Sequence, residues 1–261
     1  MKETLTGRTG HPGLELLRKY RYAHRGFHNK PQIPENSLAA FRRAVEHGFG
    51  AELDIHLTKD GKLVVFHDSQ LKRCTGEEGI LEDRTLAELR QLRLEGTDEL
   101  IPTFDEVLEI FEHATPLIIE LKTYAGNHEA LAKAAVERLD SYKGKFCIES
   151  FDPRAIGDIR KLRPGIVRGQ LSTNFREDPD EAPKGTAGLL TDLKMDFISR
   201  PDFVAYNFKY RNQPAFVKAV RSGIQGVAWT IKTMQDLKAA EALRYIPIFE
   251  QFDPDKEEPA Q

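Results

Sequence analysis

The chain has 261 residues, near the size of one large α/β barrel although two modest domains would also fit, and its 40% hydrophobic share with 9% aromatics is enough for a substantial core. A net charge of −3 excludes the broad electrostatic attraction that nucleic acid or an anionic membrane surface selects, so any anion must be held locally. The two cysteines, Cys74 and Cys147, exclude a disulfide framework or a thiolate zinc site, and with no apolar signal region and no apolar run near the ~20 residues of a membrane helix, a cytoplasmic protein without a membrane segment is expected.

Short β-rich runs alternate with stretches of helical spacing, which predicts parallel βα units. RYAH (21–24) opens the series and runs through His24 and Arg25 into Gly26. Pro34 to Ser37 then leads into LAAFRRAVEHG, a helix that Asn36 or Ser37 caps and Gly48 stops. AELDIHL (51–57) is the second strand and KLVVFHD (62–68) an additional one after it. Residues 69–101 have a different texture, with the polar turn CTGEEG and the amphipathic TLAELRQLRLEG, and read as an inserted lobe. Thr103 caps FDEVLEIFEHA, where Glu106 completes a capping box. PLIIEL (116–121), FCIESF (146–151), GIVRGQL (165–171), FVAYNF (203–208), GVAWTI (226–231) and IPIF (246–249) continue the strands, with helical patterns such as 128–142, 213–223 and 233–245 between them. Eight strands with intervening helices predict a single TIM (β/α)8 barrel over residues 1–261, against a doubly wound open sheet as the alternative. The acidic tail 253–261 is expected to be flexible.

Glu52 and Asp54 alternate with Leu53 and Ile55, so both carboxylates share one face of a strand. On a wet face they are merely solvated. Inside a barrel they need a metal, a base or a shared proton, and hard oxygen ligands favour Mg²⁺ or Ca²⁺. Glu120 and Lys122 share a face of PLIIELK, either as an internal ion pair or as a metal ligand beside a phosphate contact. His24 and Arg25 end the first strand where a barrel places its chemistry, and His67 and Asp68 end KLVVFHD. Paired imidazoles exchange protons near neutral pH. Arg25 offers a planar fork to phosphate or to a neighbouring carboxylate. His56 shares a face with Glu52 and Asp54, whereas His11, His28, His47, His113 and His128 are given no role.

Taken together, AHRG (23–26), PENS (34–37), AELDIHLTKDGKLVVFHD (51–68), IPTFDEVL (101–108) and IELK (119–122) resemble the glycerophosphodiester phosphodiesterase family, and SFDP (150–153) and AWTI (228–231) look like its later strand-end motifs. The resemblance implies a TIM barrel with a small insertion after an early strand. It also implies metal ligation by Glu52, Asp54 and Glu120, an acid/base pair of His24 and His67, and phosphate contacts from Arg25 and Lys122. Asn36 matches the asparagine of the family's Pro-Glu-Asn-Thr motif, with Ser37 in place of Thr, and Trp229 matches an aromatic near the barrel mouth that packs on the substrate's alcohol; both are expected to bind substrate. The departure is at the C-terminus, where IPIFEQFDP replaces a Gly-Ile-Ile-Thr-Asp-like strand and helix, so an abbreviated last element is expected.

The implied reaction is hydrolysis of a glycerophosphodiester to glycerol phosphate and an alcohol, with one divalent cation, in this family and its phospholipase relatives sometimes through a cyclic phosphate. The rivals are phospholipase D-like or lysophospholipase D-like cleavage of a lipid phosphodiester, which needs an apolar entry surface, and a catalytically silent phosphodiester-binding barrel. The oligomeric state has no sequence signal.

Overall fold

The alternation in AELDIHL sorts its side chains into two environments. Leu53 and Ile55 are fully buried against Phe41, Phe104 and Leu131 of the surrounding helices, while Glu52, Asp54 and His56 point the other way and are buried too. A strand buried on both faces requires a closed or covered sheet. A computed structural model of the chain describes residues 1–178 and 185–256. Its strands are β1 (Lys2–Thr4), β2 (Gly7–Thr9), β3 (Tyr22–Ala23), β4 (Gly50–Leu57), β5 (Leu63–Val65), β6 (Leu117–Leu121), β7 (Phe146–Ser150), β8 (Arg168–Ser172), β9 (Phe203–Asn207), β10 (Gln225–Ile231) and β11 (Ile246–Phe249).

Strands β3, β4, β6, β7, β8, β9, β10 and β11 are hydrogen-bonded in that order, all parallel, and β11 pairs back to β3. The ring is closed, which decides for the TIM barrel over the open sheet. Each of the eight sequence-predicted strands is a member of it. β8 begins at Arg168, not at Gly165, because the backbone first turns with Ile166 N donating to Arg163 O. β5 runs antiparallel to β4 outside the ring, as an addition.

Helices cover the ring for local reasons. Ser37 Oγ accepts from Ala40 N at 3.1 Å to start Leu38–Glu46, and the Thr103–Glu106 capping box starts Phe104–Phe111; each cap contributes about 1 kcal/mol. Inside the ring, Tyr22, Ile118, Cys147, Phe203, Val227 and Ile248 form a second core. Leu14 and Leu17 of the helix Gly13–Leu17 pack onto it from the N-terminal side of the strands.

Before that helix the chain makes an antiparallel hairpin, β1–β2, that the sequence reading did not anticipate. Arg8 of β2 is buried, pairs with Asp202 and donates to Pro164 O and Ile166 O. The inserted residues carry Leu71, Cys74, Leu81, Leu89 and Leu94, which pack with Val64 of β5 into a cluster of their own. Residues 250–256, which follow β11, form no helix. At the start of the tail expected to be flexible, Arg21 Nη1 reaches Pro254 O at 3.3 Å and Asp255 at 3.1 Å. Residues 257–261 lie outside the described residues. No described helix is long and apolar enough to cross a membrane.

Candidate active site

Parallel register aligns Asp54 of β4 with Glu120 of β6, and Glu120 with Glu149 of β7, so one lateral row of the barrel wall carries three carboxylates. Glu52 lies on the same face of β4, two residues before Asp54. Glu52, Asp54 and Glu120 are 3%, 1% and 5% exposed, and one oxygen of each lies within 4.8 Å of the others. Lys122 Nζ approaches Asp54 at 3.1 Å and Glu120 at 2.9 Å, while the Arg25 amide donates to Glu52 at 3.0 Å and its Nε lies 3.8 Å from Asp54. Burial would raise the pKa of Asp54, but Lys122, His67 and Arg25 outweigh it and hold it well below the usual range. Burial, joined by the Asp54 charge, pushes Glu52 well up; burial, against the pull of Lys122, takes Glu120 up to about 7. Two cations therefore do not neutralise the three carboxylates, and the hard, converging oxygens fit a divalent ion of the Mg²⁺ or Ca²⁺ type.

Both histidines face this cluster with one nitrogen engaged behind them. His24 Nδ1 is 2.6 Å from Glu250, and its Nε2 is 3.9 Å from Glu52. His67 Nδ1 is 2.5 Å from Asp68. A carboxylate at Nδ1 fixes the proton there and leaves the Nε2 lone pair available. Burial lowers the pKa of both, that of His67 to about 4 with the Lys122 charge adding to the effect.

The inserted lobe braces the same histidine. Arg73 bridges Asp68 and Glu35 at 2.5 and 2.7 Å, and Glu35 also holds Arg25 at 2.8 Å and Lys30. His56 spans Glu82 at 2.7 Å and the carbonyl of His67 at 3.1 Å, which makes it a prop for the His67 loop. A second group, Glu35, Cys74 and Glu95, is already compensated by Lys30 and by the two arginines on Glu35.

Of the predicted residues, His24, Arg25, Glu52, His67, Glu120, Lys122 and Trp229 line one cavity of about 340 Å³. An adjoining cavity of about 590 Å³ shares His67, Glu120, Lys122 and Phe151 and is lined further by Leu121, Leu190 and Met195. A larger hollow of about 680 Å³ near Arg18, Phe49 and Tyr245 contains none of the metal-ligand or histidine candidates. The Asn36 amide donates to Asp54 at 2.8 Å, and neither residue is among those that line the cavity. The amide orients a carboxylate, and Asn36→Ala is expected to weaken metal binding about 10- to 100-fold, measurable by calorimetry. Unchanged affinity would refute that role.

A profile of the Glycerophosphoryl diester phosphodiesterase family matches residues 24–252. The chain belongs to this family. It is 39% identical over 229 residues to the glycerophosphodiester phosphodiesterase of Caldanaerobacter subterraneus subsp. tengcongensis, covering 83% of this chain and 87% of that one. Among solved structures it is similar to an Oleispira antarctica phosphodiesterase in complex with the product sn-glycerol-3-phosphate, at a TM-score of 0.71 and 27% identity over 88% of this chain and 92% of that one. The glycerophosphodiester phosphodiesterase of Thermotoga maritima matches at a TM-score of 0.67 and 28% identity, over 88% and 94% of the two chains.

Against this family background, the residues that the sequence reading missed are Glu35, Glu149, Lys232, Glu250 and His28, all on the cavity wall. His28, given no role, has its Nε2 3.7 Å from Glu250, which also accepts Lys232 at 2.9 Å. Only Glu149 had a usable signal, since FCIESF sets it on one face with Cys147 as PLIIEL sets Glu120 with Ile118. The others are joined by contacts across long stretches of chain.

Proposed function

We propose that the chain hydrolyses glycerophosphodiesters to glycerol phosphate and an alcohol, with one Mg²⁺ or Ca²⁺ held by Glu52, Asp54 and Glu120. The observation that carries this reading is the buried, converging carboxylate trio flanked by two histidines whose Nδ1 atoms are engaged. The cation, when bound, supplies polarisation of a phosphoryl oxygen and a lowered pKa for an attacking hydroxyl. Arg25 and Lys122 bind the remaining phosphoryl oxygens and offset the charge that grows on them. One of His24 and His67 takes the nucleophile's proton at Nε2, and the other, loaded with a proton at Nε2 before the step, delivers it to the leaving alkoxide. Trp229 packs against the organic part of the substrate.

The decisive measurement is a panel of glycerophosphocholine, glycerophosphoethanolamine and a long-chain lysophospholipid against Mg²⁺, Ca²⁺ and chelator, scored by release of glycerol phosphate. Turnover of the first two with metal and none with chelator is expected; inactivity under every metal overturns the reading. The apolar cavity beside the site, with Leu121, Leu190 and Met195, is what favours a lipid phosphodiester as the second reading, and the lysophospholipid tests it.

Metal binding is also expected to displace a proton. Glu120, raised to about 7, is partly protonated at neutral pH, and a proton and a cation compete for the same oxygens. Affinity should therefore rise as pH increases through that value and fall below it. Calorimetric titrations at about pH 7 in two buffers of different ionisation enthalpy should give different heats; equal heats would show that no proton leaves.

A further inference from the structure

We propose that Arg73, a residue of the inserted lobe, is a positioning residue that holds His67 and Arg25 in register with each other, so that the lobe sets the placement of a proton-transfer group against a phosphate-binding group. The inference rests on the glycerophosphodiesterase reading and gives the lobe a part in that reaction.

Among residues 69–101, Arg73 alone lies on the wall of the 340 Å³ cavity. An arginine fork commonly closes on a single carboxylate. Here one edge of the fork is split between two: Nε donates to Asp68 Oδ2 at 2.5 Å and Nη2 to Glu35 Oε1 at 2.7 Å. Each carboxylate passes the contact on. The other oxygen of Asp68, Oδ1, lies 2.5 Å from His67 Nδ1, and the same Glu35 oxygen accepts Arg25 Nη1 at 2.8 Å. Four hydrogen bonds therefore link the His67 ring to the Arg25 guanidinium without a gap. A carboxylate bound through one oxygen can swing about its last carbon–carbon bond, whereas one bound through both has its plane fixed, and the ring it holds is fixed with it.

The lobe end of this chain is anchored. Arg73 sits in the short helix Lys72–Thr75, between Leu71 and Cys74, which are buried in the lobe's own core. Leu71 N donates to Gly79 O at 3.0 Å and Leu81 N to Ser69 O at 2.8 Å, which ties the helix to the chain that follows it. A second tether reaches the backbone of the same histidine: Glu82 takes Ser69 Oγ at 3.0 Å and His56 Nδ1 at 2.7 Å, and His56 Nε2 lies 3.1 Å from His67 O. The main chain of His67 is thus held through Glu82 and its ring through Arg73. Charge is not what Arg73 adds, because Glu35 already has Arg25 and Lys30. It adds geometry.

The test measures turnover of glycerophosphocholine with metal in Arg73→Ala and Arg73→Lys, alone and combined with His67→Ala, Arg25→Ala or Trp229→Phe, with a melting curve on each variant. Arg73→Ala is expected to lower kcat/KM about 10- to 100-fold, the usual effect of an outer-shell partner. Arg73→Lys keeps the charge but not the fork and should lose most of the same factor. The loss should shrink by at least about threefold beside His67→Ala and beside Arg25→Ala, where one of the two positioned groups is already gone. It should keep its full size beside Trp229→Phe, which shares the cavity wall but no link of the chain. A general disturbance of the fold would cost the same in all three backgrounds. A penalty undiminished beside either His67→Ala or Arg25→Ala overturns the proposal, and so does wild-type turnover in Arg73→Lys. If the wild type cleaves no diester, the proposed activity fails separately, and the histidine ring still reads the positioning. In nitrogen-edited NMR of the metal-free protein, the Nδ1–H proton of His67 should exchange with solvent about tenfold faster in Arg73→Ala than in the wild type, the equivalent of one hydrogen bond. That of His24, held by Glu250, should be unchanged. Equal rates at His67 in the two proteins overturn the proposal.

Discussion

Exchange of Asp54 for alanine is expected to abolish metal-dependent hydrolysis while leaving a folded barrel. Asp54 is the carboxylate on which the cations converge, with Lys122 at 3.1 Å, Arg25 at 3.8 Å and the Asn36 amide at 2.8 Å. It is also held ionised, so of the three proposed ligands it is the most ready to receive a metal. Loss of an outer-shell partner typically costs about 10- to 100-fold in affinity, and loss of the ligand itself should exceed that. The fold should survive, because Lys122 keeps Glu120 at 2.9 Å and one of three mutually repelling carboxylates is gone. Metal titration and a melting curve separate the two effects. Wild-type turnover with metal in this variant would show that the trio is not the metal site.

Removing either His24 or His67 should lower kcat by about 10²–10⁴, the usual worth of a positioned acid or base. If both act in one step, the double variant should fall well short of the product of the single losses. The leaving group then separates their roles. A 4-nitrophenolate departs without a proton, so the variant lacking the acid should lose far less on an aryl diester than on glycerophosphocholine, whereas the variant lacking the base should lose similarly on both. Near-wild-type turnover in both single variants would remove the histidines from the mechanism.

What was legible in the sequence was whatever repeats locally. Alternation located the strands of the ring and turned Glu52, Asp54 and Glu120 to one face, and Thr103 with Glu106 announced its helix. The hairpin of Lys2–Thr4 and Gly7–Thr9 was missed because KET and GRT have no apolar alternation, and the partners of buried Arg8, which are Asp202 and the carbonyls of Pro164 and Ile166, lie far along the chain. Glu35, Arg73 and Glu250 escaped for the same reason: each is defined by its partner, and the partners meet only when the barrel closes. Asn36 was found by its motif, but its amide bond to Asp54 was not, since a motif reports that an amide is needed and not which oxygen receives it.

The barrel's closure has a mechanical consequence. A ring is only as continuous as its shortest joint, and here the joint is β3, two residues long, which meets β11 through the pairs Ile248–Tyr22 and Phe249–Ala23. Local opening should begin there, with amide exchange at Tyr22, Ala23 and Phe249 faster than at Leu53 or Ile119 in the middle of the wall. His24 hangs from one lip of the seam and Glu250 from the other, at 2.6 Å. A parted seam therefore separates that pair before the rest of the barrel loosens, and His24 becomes the first reporter of the fold's integrity.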